Sequence, residues 1–405
     1  MTDEPYDVII VGGGPVGLAQ ALALSRFQRG LRVALVDRRP FSVPNDARAF
    51  ALSAGVRRVL EALGVWAAIA PEAQPVRAMK ITDSGRGDLA RPVFLTFEGD
   101  VAPGEPYAHM APNRVLTAAL LAAVGETVER LAPVEVAGYA ADAALARLSL
   151  ADGRVLAAPL LIAADGAMSG LRRMAGIGVV AHDYRQAGIV TTIAHSRPHE
   201  GVAYEHFLPA GPFASLPLSG DRSSLVWAET SAEAARLKAL PLPEAAARIE
   251  AAMGASLGRV TVEEPLQSFA LRLQLARAFV APRLALIGDA AHVIHPLAGQ
   301  GLNLGLKDVA ALAETVIGAL RLGEDHGGAA VLARYQSLRR FDTALMAAVT
   351  DSLNRLFSND VAPVRALRDV GLGLVDRLAP VKSGLIGRAA GLEGNGPRLL
   401  RGLPL

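Results

Sequence analysis

The sequence predicts an α/β protein in which a parallel sheet and an antiparallel sheet form separate domains. A strand, a glycine-rich turn, a helix and a second strand follow one another within residues 6–37. Residues 181–270 alternate between apolar and polar side chains with Pro and Gly breaks, which is typical of antiparallel strands. From residue 301 to near residue 360, apolar side chains recur at helical spacing.

The composition is that of a globular protein. The 405 residues are enough for two or three domains at about 150 residues each. A content of 51% hydrophobic and 20% charged residues excludes a disordered chain. With 41 Lys and Arg against 39 Asp and Glu, the net charge of +2 is too small for a dedicated nucleic-acid binder. The chain has no cysteine, which excludes disulfides and cysteine-bound metals and is consistent with a reducing cytoplasm.

No segment of the sequence is expected to insert into a membrane. The mean hydropathy of +0.31 comes largely from alanine, and no run of about 18 uncharged apolar residues occurs. The first residues, MTDEPYDVII, lack the basic start and the apolar core of a signal peptide. We therefore expect a cytoplasmic protein.

The chain begins with a predicted β-α-β unit. Tyr6–Val11 is a short apolar run that ends at glycine, as buried strands do. Helical spacing follows from Pro15 to about Arg29, and Gly30 stands where a helix should end. Leu31–Val36 is the second strand. A helix between two such strands implies a right-handed parallel crossover.

Strands and helices alternate along the rest of the chain. Residues 51–70, 113–124 and 231–253 are predicted helices. Asp152-Gly153 is typical of a hairpin turn. The further predicted strands are Val93–Phe97, Val134–Ala140, Arg147–Leu150, Pro159–Ala164, Val202–Leu208, Ser224–Ala228 and Arg283–Ile287.

The first motif is a glycine fingerprint, Gly12-x-Gly14-x-x-Gly17, which follows a strand and opens a helix. Gly12 allows the tight turn, Gly14 lets the backbone approach a diphosphate, and Gly17 lets helix and strand pack closely. The helix N-terminus favours the diphosphate charge. Asp37, at the end of the second strand, is placed to accept hydrogen bonds from the adenosine ribose. The motif predicts dinucleotide binding but does not separate NAD from FAD.

The second motif is the run GDAAHVIHPLAGQGLNLGLKD over residues 288–308. A strand delivers Asp289 beside the cofactor, and a Pro- and Gly-rich loop then turns into a helix. Such a loop brings bare backbone close to a flat ring, and the helix start stabilises negative charge, such as the anionic edge of a reduced flavin. A plain strand–loop–helix connection with a capping Asn explains the glycines. It does not explain the density of Asp, His, Gln and Asn.

Together with Gly12–Gly17 and Ala163-Ala164-Asp165-Gly166, this run resembles the group A flavoprotein monooxygenases, which have the para-hydroxybenzoate hydroxylase fold. Within that group the chain is most similar to the hydroxylases of ubiquinone biosynthesis. The segments DARAFALS (46–53) and YEHFLPAGPFASLPL (204–218) and the uninterrupted HPxAGQGxN run carry this narrower resemblance. It covers nearly the whole chain.

The resemblance implies FAD as cofactor, NAD(P)H as reductant and O₂ as co-substrate. It implies a C4a-hydroperoxyflavin that hydroxylates the ring of a polyprenylated phenol in ubiquinone biosynthesis, in a site that excludes water. Three alternatives stay open: hydroxylation of a small soluble phenol or benzoate, FAD-dependent reduction or epoxidation of an isoprenoid, and a non-enzymatic scaffold role.

The resemblance also implies cofactor-binding residues. Asp37 contacts the adenosine ribose, Asp289 the ribityl chain, and the loop after it the isoalloxazine. Arg114 contacts the diphosphate or ribose, with an exposed helix arginine as the alternative. The residues expected to bind FAD are Gly12, Gly14, Pro15, Gly17, Asp37, Arg38, Arg48, Arg114, Asp165, Gly288, Asp289, Pro296, Gly299, Gly301, Leu302 and Asn303.

The candidate pocket residues are His295, Pro296, Tyr204 and His206. Tyr204 and His206 alternate on a predicted strand and therefore share a face. They line the substrate pocket if that face looks at the flavin, and otherwise they are ordinary sheet residues. His295 lines the site or packs within its loop. His292 and His295 form a His-x-x-His pair without a third ligand at convincing spacing, so no metal is predicted.

The predicted architecture has three parts. A Rossmann-like FAD-binding domain with a parallel sheet takes residues 1–73, 104–180 and 270–330, an antiparallel substrate domain takes 74–103 and 181–269, and a helical C-terminal segment takes 331–405. Residues 361–405 hold seven Lys or Arg against three Asp or Glu, with apolar residues at helical spacing over 367–378. This segment either contacts a membrane surface or other ubiquinone-biosynthesis enzymes, or packs on the FAD domain.

Overall fold

The computed structural model describes residues 5–83, 93–254, 256–357, 391 and 396–405. Its strands, in chain order, are β1 (Val8–Val11), β2 (Val33–Val36), β3 (Ala49–Ser53), β4 (Gln74–Val76), β5 (Ala78–Asp83), β6 (Val93–Glu98), β7 (Asp100–Ala102), β8 (Glu105–Pro106), β9 (Ala108–Pro112), β10 (Val128–Leu131), β11 (Val136–Ala141), β12 (Ala146–Leu150), β13 (Val155–Ala158), β14 (Leu160–Ala163), β15 (Val179–His195), β16 (Val202–Leu208), β17 (Gly211–Leu218), β18 (Arg222–Thr230), β19 (Val260–Val262), β20 (Gln267–Ala276), β21 (Val280–Ala281), β22 (Leu284–Leu286) and β23 (His292–Val293). Its α-helices are α1 (Pro15–Phe27), α2 (Ala54–Ala62), α3 (Trp66–Ile69), α4 (Asn113–Val124), α5 (Gly170–Met174), α6 (Ser231–Lys238), α7 (Leu242–Met253), α8 (Gln300–Arg321) and α9 (Ala329–Phe357).

The core of the fold is a mainly parallel sheet. In the part of the chain that the structure describes, it has six strands in the order β10-β2-β1-β14-β22-β21. Its first five strands run parallel, and β21 pairs antiparallel with β22 at the edge. Strands β1, β2 and β14 are buried along their length, which is why they are apolar without alternation. Helices α1, α4 and α8 bury residues in the same core. The predicted β-α-β unit is confirmed.

The second sheet is mostly antiparallel and has two different faces. Over the described ranges it has nine strands, β23-β20-β15-β18-β17-β16-β5-β6 with β19 beside β15, and only β16 and β5 pair in parallel. On one face, Phe213 and Trp227 join an apolar cluster with residues of α6 and α7. We call this the helix-covered face. The opposite, inner face packs Ala203 and Leu216 against the small sheet β3-β9-β4.

The helix prediction for residues 113–124 is confirmed as α4, whereas the prediction for residues 51–70 is wrong in its first part. Ala49–Ser53 is a strand that pairs with β9. Ser53 then caps α2, because its Oγ accepts a hydrogen bond from the Val56 amide. A short apolar run fits a strand or a helix equally well, so the pairing partner decides the outcome.

Proline and glycine divide two other predicted helices. The helix predicted over residues 231–253 is two helices, α6 and α7, with Pro241 at the start of the second. A proline inside a helix would remove one backbone hydrogen bond. The helical stretch after residue 301 is likewise α8 and α9, separated by a turn in which Gly323 has φ +68°.

The predicted domain division stays a prediction. Strand β20 spans Gln267–Ala276 and therefore crosses the predicted boundary at residue 270. The apolar spacing at residues 367–378 lies outside the described residues. Leu399 and Leu400, close to the end of the chain, are buried in the same core as α2. Within the described residues, no helix combines the length and the apolar character that a membrane span requires.

Candidate active site

Two glycines of the fingerprint allow strand β1 and helix α1 to approach their neighbours closely. Gly12 has φ +116°, and a Cβ atom there would lie 2.2 Å from the carbonyl oxygen of Ala164. A Cβ atom on Gly17 would lie 1.8 Å from the carbonyl oxygen of Gly12. Neither distance is compatible with a side chain, so both positions require glycine.

The third glycine faces open space at the start of α1. A Cβ atom on Gly14 would meet no atom within 4 Å. Gly14 is the N-cap of α1, no side chain caps this helix, and its first turn carries no acidic residue. Beside it, the Asp37 carboxylate accepts a hydrogen bond of 2.6 Å from the Gly13 amide. An uncapped helix start with room above it and a carboxylate at its side fits the diphosphate and ribose of a dinucleotide.

The second motif forms a loop that presents backbone. Gly288–Ala290 is a short 3₁₀ helix after β22, and Asp289 within it is exposed. Gly299 has φ +63° and is the N-cap of α8, which no side chain caps. A Cβ atom on Gly301 would meet nothing within 4 Å. The start of α8 is therefore a helix N-terminus without a side-chain cap and with open space at Gly301, as a flat ring with a negative edge requires.

Asn303 joins the start of α8 to strand β3. Its Oδ1 accepts a hydrogen bond of 3.0 Å from the Ser53 amide, and its Nδ2 donates one of 2.7 Å to the Ala51 carbonyl. A Cβ atom on Gly299 would touch Ala51 at 3.2 Å. Asn303 thus holds the loop against β3. Its contact with the isoalloxazine stays a prediction.

A buried ionic network that the sequence analysis missed supports this loop. Asp308, which is fully buried, accepts hydrogen bonds from the Gly288 amide (2.9 Å), His292 Nε2 (2.6 Å) and Arg339 Nε (2.7 Å). Burial opposes ionisation of Asp308, but the charges and hydrogen bonds of His292 and Arg339 outweigh it, so its pKa is lowered. Arg339 also binds Asp342 at 2.7 Å. In the sequence, an acid among the apolar residues of α8 could have indicated a buried ion pair. Its partner Arg339 could not be identified, because it is distant in sequence.

The predicted arginines lie at the protein surface. Arg48 is exposed, binds Asp46 at 2.7 Å and stands over the Phe269 ring at 5.8 Å. Arg114 binds Glu72 at 2.7 Å with half of its side chain exposed, as the alternative interpretation describes. Arg38 is exposed as well. Their contacts with FAD stay predictions.

Asp165 acts as a helix cap. Its Oδ2 accepts hydrogen bonds from the Gly170 amide (2.8 Å) and the Leu171 amide (3.2 Å) at the start of α5. Its Oδ1 is buried and has no hydrogen-bond partner in the described part of the chain. One carboxylate oxygen at the end of β14 therefore remains unpaired among the described residues, and its contact with FAD stays a prediction.

Tyr204 and His206 lie on the helix-covered face of the large sheet, and their place in the substrate pocket stays a prediction. They do share a face, as their alternation predicts, with ring centroids 6.1 Å apart. Tyr204 packs against the cluster that α6 and α7 complete, and the His206 ring lies 6.0 Å from Phe213 on the helix-covered face. The inner face packs against Ala51, which lies beside the loop of residues 288–299, called the flavin loop below because the second motif predicts its contact with the flavin. This face carries the residues that alternate with Tyr204 and His206. Those residues are Ala203, Glu205 and Phe207.

His295 is fully buried next to Pro296. Neither of its ring nitrogens has a hydrogen-bond partner among the described residues. The Tyr184 ring meets it edge-on at 5.1 Å, and Tyr184 in turn donates a hydrogen bond of 2.9 Å to Asp351. Burial lowers the pKa of His295 to about 4, so the imidazole is neutral at pH 7. Over the residues described, no group of three or more His, Asp or Glu side chains is arranged to hold a metal ion.

The family described as "FAD binding domain" matches residues 5–349 of this chain. Ubiquinone hydroxylase UbiL of Rhodospirillum rubrum is 43% identical over 412 residues, which span 100% of this chain and 94% of that protein. The 3-demethoxyubiquinol 3-hydroxylase of Escherichia coli is 36% identical over 403 residues, spanning 97% of this chain and 100% of that protein. This chain belongs to the FAD-dependent hydroxylases of ubiquinone biosynthesis. The resemblance read from its motifs is confirmed.

Solved structures of flavin-dependent monooxygenases share this fold. The p-nitrophenol 4-monooxygenase PnpA from Pseudomonas putida has a TM-score of 0.80 at 20% identity, covering 96% of this chain and 99% of that chain. PqsL from Pseudomonas aeruginosa, described as a probable FAD-dependent monooxygenase, has a TM-score of 0.76 at 25% identity, covering 91% and 99%. The predicted α/β fold of the group A flavoprotein monooxygenases is confirmed. By its family and its relatives, this chain is an FAD-dependent monooxygenase.

Proposed function

We propose that this monooxygenase hydroxylates the aromatic ring of a polyprenylated phenol in ubiquinone biosynthesis, with NAD(P)H as reductant and O₂ as co-substrate. The observation that carries this proposal is the identity of 43% to a protein named ubiquinone hydroxylase, along the whole chain. The E. coli relative, named for the same pathway, supports it over nearly the same length.

The open backbone at two helix starts supports the proposed cofactor-binding roles. The amides at Gly14 and the start of α1 bind the FAD diphosphate, with Asp37 on the adenosine ribose. Asp289 binds the ribityl chain, and the start of α8 faces the negative edge of the ring. Bound FAD supplies the electron transfer between NAD(P)H and O₂, which no amino-acid side chain provides.

The inner face of the large sheet forms the proposed wall of the substrate site. Ala214 and Val226 pack on this face near Ala51, which Asn303 joins to the flavin loop. Phe207 lies two residues after Glu205 on the same strand, so its side chain is on the same face, and it is buried. A mainly apolar wall suits a prenylated phenol, whose tail must leave water together with the ring.

His295 and Pro296 are proposed to close the site from the loop side. A neutral imidazole without a protein partner accepts or donates one hydrogen bond to substrate or to ordered water. We also propose that residues 361–405 contact a membrane surface or other enzymes of ubiquinone biosynthesis. Direct binding measurements test these contacts.

Genetic complementation tests the proposed function. The gene is placed in a set of bacterial strains that each lack one ubiquinone ring hydroxylase, and the extracted lipids are analysed by mass spectrometry. We expect ubiquinone to return in one strain, which also identifies the ring position, or in several strains if regioselectivity is relaxed. If no strain recovers although the protein is present, folded and yellow with FAD, the prenylated phenol is the wrong substrate and a small aromatic compound takes its place.

A further inference from the structure

Glu205 is a buried carboxyl group on the wall of the proposed substrate site. It lies in the middle of β16, opposite Ala214 on β17 and beside Ile81 on β5. Only 6% of its surface is exposed. Its neighbours Ala203 and Ala214 belong to the inner-face cluster that includes Ala51. Asn303 Nδ2 donates to the carbonyl oxygens of both Ala51 and Gly299, so Ala51 lies beside the flavin loop.

This carboxyl group has no hydrogen-bond or ion-pair partner in the part of the chain that the structure describes. Within the described ranges no donor and no cation stabilises its charge, and burial alone raises the pKa of Glu205 to about 7. Burying an acid without a hydrogen bond destabilises the folded state, and an apolar residue of similar size would avoid that penalty. The fold therefore keeps an ionisable group where packing gains nothing from it.

Among the residues described, a second titratable group, Tyr107, belongs to the inner-face cluster beside Glu205. The hydroxyl of Tyr107 is buried and has no hydrogen-bond partner there. Tyr107 packs in the same inner-face cluster as Ala203 and Ala214, the neighbours of Glu205. Its pKa is raised mainly by burial and additionally by the charge on Glu205. Two protic groups without partners on one apolar wall match a ligand that brings its own hydroxyl.

We propose that the Glu205 carboxylate is the base that accepts the proton of the substrate phenol. The phenol O–H bond breaks, an O–H bond forms on Glu205, and the electron pair stays on the phenol oxygen. The resulting phenolate delocalises that charge into the ring, which favours attack by an electrophilic oxygen at the ring carbons. Glu205 later returns the proton to water. This inference rests on the proposed phenol substrate.

The pH dependence of turnover has a definite sign. Glu205 works as a base only when it is ionised, so the rate with a phenol rises through about pH 7 and then levels off. The Glu205→Gln variant loses this rise, and its rate follows the ionisation of the free phenol near pH 10 instead. At pH 7 we expect its turnover to fall by about 10²-fold.

The matched control is Glu229→Gln. Glu229 lies on β18 of the same sheet, next to Trp227, is half-buried, and alternates onto the helix-covered face with it. Its pKa is also raised, mainly by burial. We expect this control to keep the wild-type pH profile. A second variant, Glu205→Leu, removes the buried charge, so it should unfold at a higher temperature while losing activity to the same extent as Glu205→Gln.

The FAD-loaded enzymes are compared with two probes. Hydroxylation of 2-geranylphenol is followed from pH 6 to 9, and the ionisation of bound 2-geranyl-4-nitrophenol is read from its own absorbance. In the wild type, the charge on Glu205 opposes a second negative charge on the bound nitrophenol. The midpoint of nitrophenol ionisation should therefore lie about one pH unit higher in the wild type than in Glu205→Gln.

The two probes separate the possible failures. If Glu205→Gln matches the wild type in pH profile and nitrophenol midpoint, Glu205 does not contact the phenol and the inference is overturned, whereas the proposed function stands. If the wild type hydroxylates no phenol but the nitrophenol midpoint still moves, the contact is supported and the proposed function fails.

Discussion

The Gly14→Asp variant is expected to lose FAD while its apoprotein becomes more stable. The site above Gly14 is open, so the new side chain meets no steric barrier. As the N-cap of α1, which no side chain now caps, aspartate accepts a hydrogen bond from the first turn and stabilises the helix by about 0.5–1 kcal/mol. The same charge repels the diphosphate, and we expect FAD affinity to fall by at least about 100-fold.

The control for this variant is Gly14→Ser. Serine caps the helix as aspartate does but carries no charge, so its FAD affinity should lie much closer to that of the wild type. FAD content is read from flavin absorbance and affinity from the quenching of flavin fluorescence, with chemical unfolding of each apoprotein in parallel. Equal FAD affinity of Gly14→Asp and the wild type would place the diphosphate elsewhere.

Replacing Asp308 by Ala is expected to be the most destabilising single change in the site. It leaves Arg339, which is 4% exposed, with Asp342 as its remaining carboxylate and leaves the Gly288 amide without its acceptor. Removing one partner of a buried ion pair typically costs 3–5 kcal/mol. Because Gly288 begins the turn that presents Asp289, the variant should also bind FAD more weakly.

The Asp308 network gives the stability a pH dependence. The pKa of Asp308 is lowered in the folded state from the ordinary value of 3.8, so its contribution is complete above about pH 4 and is lost as the pH falls through the folded pKa. Asp308→Asn keeps an acceptor for Gly288 and should lose less stability than Asp308→Ala. Glu263→Gln, which breaks the surface pair with Arg222, is the matched control and should cost at most about 1 kcal/mol.

Urea unfolding of these variants between pH 3 and 8, with and without FAD, measures both effects. An Asp308→Ala protein that unfolds at the same urea concentration as Glu263→Gln would mean that Arg339 and the Gly288 amide find other partners.

The parts of this fold that sequence predicts are those with local causes. Gly12 and Gly17 are required because any Cβ atom there would make a contact of under 2.5 Å. The glycine pattern in the sequence therefore predicts the close backbone packing directly. The helix over 113–124 and the strands β1, β2 and β14 likewise follow from continuous apolar patterns.

The parts that sequence missed depend on distant partners. Period-two alternation shows that Tyr204 and His206 share a face, but which face depends on where α6 and α7 pack. The same ambiguity applies to Glu205, because alternation does not show that its face of the sheet is the inner one. Asp308 gains its role only when α9 brings Arg339 beside it.

Isotope labelling tests the central claim most directly. The FAD-loaded enzyme is mixed with NADH or NADPH and 2-geranylphenol under ¹⁸O₂, and the product is analysed by mass spectrometry. We expect a dihydroxylated ring that carries one ¹⁸O atom, formed only when reductant and enzyme are both present. Product oxygen that comes from water, or a product whose prenyl double bonds are reduced or epoxidised while the ring is unchanged, would contradict the assignment as a ring hydroxylase.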